Sequence, residues 1–291
     1  MAFPLVVGVD GSDSSLLAVD WAVDEAARHG LPLRLVHASR WETYEGIQPS
    51  FRTDRSSEEV MSQHIVASCL ERARRRDPAV KVSGDALAED PVSALLHAGP
   101  EAFALVTGSR GRGEIAGMLL GSVSLAVAAR AACPVIVVRG AEPSRHGTFG
   151  RVVVGVGAAA GGPGAVRFAL REAQARGSGV TAVRAWRNPS QEPVDHMLLA
   201  DDAARLREER ASTGLDEALR DAAREHPQVE VRRETVEGPA HRALLDASAR
   251  ADLVVVGAQR RHGHFGLQLG RVAHALLHHA ECPVAVVPQP V

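Results

Sequence analysis

The fold turns on one stretch: Phe103-Ala-Leu-Val-Thr-Gly108-Ser-Arg-Gly111-Arg-Gly-Glu-Ile-Ala-Gly117-Met-Leu-Leu-Gly121-Ser122-Val-Ser124. A short apolar run ends in glycine, a loop with further glycines follows, and a helical pattern opens near residue 119 and runs to 131. That is a strand, a loop and a helix N-terminus in series. Working outward, Leu253-Val-Val-Val-Gly257 is followed by a similar basic, glycine-containing stretch. Cys133-Pro-Val-Ile-Val-Val138 matches Cys282-Pro-Val-Ala-Val-Val287 at an offset of 149, and Leu5-Val-Val-Gly-Val9 matches Val152-Val-Val-Gly-Val156 at an offset of 147. Pro91 matches Pro239 at 148. An offset that hardly drifts means a tandem duplication of a unit of about 145 residues, too long for a solenoid repeat. The expected organisation is a domain over 1–141, a linker over 142–150 rich in turn formers, and a second domain over 151–291.

Within the first unit the apolar runs lie near 3–9, 33–38, 80–87, 103–107 and 134–138. Continuous β-branched runs fit strands buried on both faces. Helical patterns lie between them: Leu16, Val19, Val23, Ala26 and Ala27 share one face, with Ser12 or Asp13 as N-cap and Gly30 as terminator. Further helices are expected over 56–76, 92–99 and 119–131, and a long polar one around 195–225 in the second unit. The alternation of strand and helix predicts an α/β fold with a mostly parallel, doubly wound sheet in each unit. Ligands of such sheets sit beyond the carboxyl ends of the strands, where the strand order reverses. Two loops of the first unit face that point: Asp10–Ser15 and Gly108–Gly121.

The 291 residues exceed one typical domain of about 150. With 45% hydrophobic and 23% charged residues the chain has the composition of a globular protein, and with 3% aromatics its cores depend on Val, Leu, Ile and Ala. The 33 basic residues include one lysine, Lys81, and 32 arginines. Lys81 sits in Val80-Lys81-Val82 without a glycine loop, which excludes a Walker-type phosphate loop, a kinase strand lysine and Schiff-base chemistry. A net charge of −2 argues against a dedicated nucleic-acid surface. No apolar run is long enough for a membrane helix and no secretory leader pattern is present, so a cytoplasmic protein is expected. Cys69, Cys133 and Cys282 do not form a disulfide framework.

The loop after the fourth strand has the spacing Gly-x2-Gly-x9-Gly-Ser. Glycines allow close approach of backbone to an anion, and Gly121-Ser122 would present the free amides of a helix N-terminus to a phosphate. Ser122 and Ser124 add hydroxyls, and Arg110 or Arg112 adds charge. The competing interpretation is a surface loop with a helix cap. Asp10 can accept from a ribose hydroxyl, hold a phosphate-bound magnesium ion, or act only as a cap; Asp13 is a weaker candidate.

Val6-Val-Gly-Val-Asp10-Gly-Ser, Gly108-x2-Gly111-x9-Gly121-Ser122 and the closing Cys133-Pro-Val-Ile-Val-Val strand together resemble the universal stress protein family, in its tandem two-domain form. The resemblance implies five-stranded parallel sheets of order 3-2-1-4-5 with ATP at the switch point. It places Asp10 by the ribose and the backbone of Ala38 by adenine. Gly108, Arg110, Gly111, Gly121, Ser122 and Val123 would surround ribose and phosphates. It also implies edge-to-edge pairing of fifth strands, so that residues 134–138 and 283–287 would dock the two halves or a second copy of the chain. The second unit departs from the pattern. Gly157 replaces Asp10, and with Gly257 and Gly270 kept, Arg260 replaces Gly111 and Arg271 replaces Ser122. A weakened or an altered second site is expected. Gly161-Gly-Pro-Gly164 is an anion-nest candidate, or more simply a helix-entry turn.

No catalytic apparatus stands out. There is no G-x-S-x-G elbow, no metal-binding quartet, and no serine tied by spacing to a histidine and an acid. His262, His264, His274, His278 and His279 cluster late, and His274 and His278 are spaced to share a zinc ion or to lie on a solvated helix face. The expected function is an ATP-binding regulatory, stress-response protein that acts on an unidentified protein partner, with slow hydrolysis at most. The alternatives are an adenine-nucleotide α-hydrolase-type enzyme, because Asp10-Gly-Ser-Asp-Ser-Ser loosely echoes that group's loop, and a nucleotide-free interaction module.

Overall fold

The computed structural model describes residues 2–39, 57–111, 120–157, 163–187, 197–259 and 269–289. The chain divides into two compact units, Met1–Arg139 and Gly140–Val291.

In the first unit the order is β1 (Leu5–Gly8), α1 (Asp13–His29), β2 (Leu33–Ala38), α2 (Ser57–Arg76), β3 (Val82–Leu87), α3 (Pro91–Ala98), β4 (Ala104–Gly108), α4 (Ser122–Arg130) and β5 (Val135–Val138). All pairings are parallel and the strand order is β3-β2-β1-β4-β5. The chain therefore reverses direction across the sheet between β1 and β4. Leu5, Val6, Val7, Ala104, Leu105 and Val106 are at most 1% exposed, as expected of central strands covered on both faces. Lys81, the sole lysine, is exposed just before β3, at the amino end of the strands, where its carbonyl accepts from Leu33 N.

Helix α1 starts at a Ser12 cap whose Oγ accepts from Ser15 N at 3.3 Å, and ends at Gly30 in the left-handed conformation, φ +62°. Its buried face is not quite the expected one: Ala18, Trp21 and Ala22 are buried with Val19, Val23 and Ala26, whereas Leu16 is half-buried and Ala27 exposed. The helix faces both the sheet and a neighbouring helix, so a wider face than one stripe is covered. Asp20 and Asp24 reach α2, where bidentate pairs at 2.6–2.7 Å join Asp20 to Arg72 and Asp24 to Arg76. These carboxylates hold both guanidinium pKa values above their ordinary value.

The second unit contains α5 (Glu142–Arg145), β6 (Arg151–Gly155), α6 (Pro163–Arg176), β7 (Gly179–Trp186), α7 (Met197–Glu225), β8 (Val231–Glu237), α8 (Ala240–Ser248), β9 (Leu253–Gln259), α9 (Arg271–His279) and β10 (Val284–Gln289). Its parallel strand order, β8-β7-β6-β9-β10, repeats that of the first unit. The segment before β6 is fixed by Asp252, 1% exposed, whose two carboxylate oxygens accept from Phe149 N at 2.9 Å and Arg151 N at 3.0 Å. Cys69, Cys133 and Cys282 are buried, and no disulfide joins cysteines among the described residues. No helix among the described residues is long and apolar enough to cross a membrane.

Candidate functional site

At the carboxyl end of β1 the chain must turn sharply into α1. Gly11 supplies the turn with φ +76°, and Asp10 holds it: Oδ1 accepts from Ser12 N at 3.0 Å and from Ser12 Oγ at 2.6 Å. The other oxygen, Oδ2, points at the neighbouring loop. A Cβ built on Gly111 would lie 2.7 Å from it, so a side chain at 111 and a carboxylate at 10 compete for one space. Asp10 thus braces the Ser12 cap through one oxygen, with the second directed towards the loop. Asp13 is exposed on the first turn of α1 and stands outside this arrangement.

The loop after β4 is anchored to the start of α1. Ser14 Oγ accepts from Arg110 N at 3.1 Å and lies 3.4 Å from Ser109 Oγ. Gly108 rests against Ser14 so closely that a Cβ would be 2.6 Å from the Ser14 carbonyl oxygen. The loop returns at Gly121, whose N–H donates to the Ser109 carbonyl at 2.8 Å and which N-caps α4 without a side-chain hydrogen bond. Ser124 is buried and donates through Oγ to the Gly108 carbonyl at 2.7 Å. Its hydroxyl ties helix to strand, while the early amides of α4 are left to face the opening.

These elements enclose a cavity of 440 Å3 at the reversal of strand order. Asp10, Ala38, Gly108, Arg110, Gly111, Gly121, Ser122, Val123 and Ser124 all line it. Its remaining wall is made by Gly8, Val9, Ser15, Val36, Pro91, Leu95, Thr107 and Leu120. The two ends differ in chemistry. Val9, Val36, Pro91 and Leu95 form an apolar wall, while Arg110, the Gly111 backbone and the N-terminus of α4 form a cationic, amide-rich one. Leu95 fits there because Gly8 has no side chain: a Cβ at Gly8 would be 2.9 Å from Leu95 Cδ1. Beside this wall, buried His37 pairs through Nδ1 with the Val9 carbonyl at 2.7 Å.

The model of the universal stress protein family matches this chain twice, over residues 1–139 and 148–288. The chain belongs to the universal stress protein family. A universal stress protein of Mycobacterium tuberculosis is 34% identical over 297 residues, which cover 98% of this chain and 97% of that protein. One from Mycolicibacterium smegmatis is 29% identical over 98% of this chain and 97% of its own. The crystal structure of a universal stress protein from Archaeoglobus fulgidus shares the fold, with a TM-score of 0.62 at 18% identity over 98% of both chains.

The second universal stress protein domain is built differently at the equivalent point. Gly157, in place of the aspartate, has nothing within 4 Å of a Cβ position. Gly257 lies within β9, Gly270 N-caps α9, and Arg271 is an exposed first residue of that helix. Arg260, Arg112, His262, His264, Gly161 and Gly162 lie outside the described residues. His274 and His278 stack on one another, their ring centroids 4.4 Å apart. In the first domain, sequence reasoning missed the α3 contribution. Pro91 follows an Asp90 cap whose carboxylate accepts from Ser93 N at 3.1 Å. This cap-and-proline pair after β3 was the available signal for a helix placed over the switch point.

Proposed function

We propose that the first unit binds an adenine nucleotide in this cavity, ATP above all, and that binding serves regulation rather than rapid catalysis. The observation that carries the reading is the opposition of an apolar wall to an amide-rich, cationic end across one cavity at the switch point. A purine fits the wall of Val9, Val36, Pro91 and Leu95 and can bond to the backbone of Ala38; the ribose falls beside Asp10. The phosphates meet Gly111, Gly121, Ser122 and Val123 at the start of α4, with Arg110 as the cation. Membership of the universal stress protein family supports the choice of nucleotide.

Magnesium would accompany the phosphates, with the Asp10 carboxylate beside them at the cavity wall. The bound nucleotide would bias the loop 108–121 and thereby the choice of a protein partner. Titration calorimetry of the full chain with ATP tests this. Binding in the micromolar range is expected, with at least a hundredfold loss in Gly111→Arg and about tenfold in Asp10→Ala, the latter the size of one lost charge-assisted hydrogen bond. Absence of affinity for ATP, ADP and AMP alike would overturn the reading. An assay for AMP plus pyrophosphate belongs beside it: rapid formation of both would turn the binding site into an active site of the α-hydrolase type.

A further inference from the structure

The pairing of β1 with β2 ends one bond short. Their parallel register stops at Gly8 opposite Val36, and the last backbone bond between them runs from Val9 N to the Val36 carbonyl at 2.9 Å. In a parallel pair the residues of one strand bond alternately to either side, so Ala38 turns its N–H and its carbonyl to the same side as Val36. Ser39 obeys this alternation from the other side, where its N–H donates to the Leu87 carbonyl of β3 at 3.1 Å. A ladder that continued would take Ala38 N to the Val9 carbonyl. Among the described residues no such bond forms.

The Val9 carbonyl has another partner. His37 Nδ1 lies 2.7 Å from it, in a residue only 7% exposed. A carbonyl has no proton to give, so the ring donates from Nδ1. It is the one donor to this carbonyl among the described residues. Side chains alternate along β2: Val36 and Ala38 line the cavity, while His37 between them points to the other face of the sheet and is not among the cavity's lining residues. The imidazole therefore stays clear of any ligand in the cavity. It satisfies from behind the acceptor that would otherwise draw the Ala38 amide into the sheet. The second unit ends the same step with Val156 N on the Val183 carbonyl at 2.9 Å, but Arg184 follows in place of the histidine. Its guanidinium lies against Gly214 of α7, where a Cβ would be 2.6 Å from Nη1.

We propose that His37 is a positioning residue that sets base specificity: by holding the Val9 carbonyl it leaves the N–H and carbonyl of Ala38 open at the cavity wall, a donor and acceptor that fit the N1 and 6-amino edge of adenine. The N1–H and 6-oxo edge of hypoxanthine carries the reverse pattern. A site built for one pattern rejects the other, because its own groups are left unpaired. The specificity role rests on the nucleotide reading of the cavity; the state of the Ala38 amide does not.

Amide exchange and calorimetry on the full chain test the two halves. In the free wild type the Ala38 amide should exchange about tenfold faster than in His37→Leu, where the Val9 carbonyl loses its donor and the ladder can close on it. His37→Asn, whose Nδ2 reaches roughly where Nδ1 stands, should keep the fast exchange. Equal exchange of Ala38 in wild type and His37→Leu would overturn the hold on the amide. Wild type and His37→Asn should also prefer ATP to inosine triphosphate by about tenfold or more, and His37→Leu should cut that ratio to about threefold or less. A merely structural loss would weaken both nucleotides by one factor and leave the ratio standing, which would overturn the specificity role. A wild type that binds neither nucleotide would remove the reading of the cavity and the specificity role with it, while the exchange comparison still decides whether His37 holds the Ala38 amide open.

Discussion

Gly111 and Asp10 form a single unit of design, because the carboxylate fills the volume that any side chain at 111 would take. The 2.7 Å approach makes even Gly111→Ala a strained change. It should weaken ATP about tenfold, and Asp10→Ala should be partly insensitive to it, since deleting the carboxylate removes the clash. A double-mutant cycle read by calorimetry checks this; strict additivity would refute the shared volume. The second unit alters both positions together, with Gly157 and Arg260. Asp252 acts in another way. One buried carboxylate satisfies two amides of the incoming chain, so Asp252→Ala leaves both without their acceptor. A loss of about 2–6 kcal/mol is expected, at about 1–3 per unsatisfied buried group, measurable as a lowered denaturant midpoint. Asp252→Asn, able to satisfy one amide, should lose about half of that.

Among the elements, α1 and α2 of the first unit are coupled by two parallel, bidentate ion pairs one helical turn apart. Asp20→Asn should cost about 0.5–1 kcal/mol, less in high salt, because the pair is partly solvated. These Asp–Arg matches, 52 residues apart, have no local signal in the sequence. The same holds for Leu95 and Pro91 in the cavity wall, which arrive through packing over Gly8. By contrast, Gly108 and Gly111, which neighbouring atoms approach within 3 Å of a Cβ position, and the Ser12 and Gly30 helix ends were legible, because each answers a local backbone demand. Helix α2 also carries Cys69, whose burial pushes its thiol up to about 11, Arg72 opposing and Asp10 adding. A raised folded-state pKa means the stabilising difference is complete below the unfolded value of about 8.5 and is lost as pH climbs towards 11. Thermal melts should therefore fall between about pH 9 and pH 11, with a shallower slope in Cys69→Ala. Alkylation of native Cys69 at pH 8 should be slow compared with that of the unfolded chain.

For the molecule as a whole, the repeat offsets near 148 were enough to read a duplicated α/β unit, and the strand order follows in both copies. The inequality of the copies was legible only in part. Gly157, Arg260 and Arg271 stand out against the motif, but Gln289 is an unexceptional residue near the end of an apolar strand. It packs against Gly164, 125 residues earlier, and no local pattern marks that contact. A further consequence concerns the sole lysine. Lys81 is exposed at the amino end of the strands of the first unit, whereas the cavity opens at their carboxyl ends. Amine-reactive chemistry therefore offers one side-chain attachment point, set at the opposite end of the sheet from the ligand. A fluorophore or a surface linker placed there would leave every residue of the cavity untouched, turning a compositional scarcity into a built-in handle for watching the first unit alone.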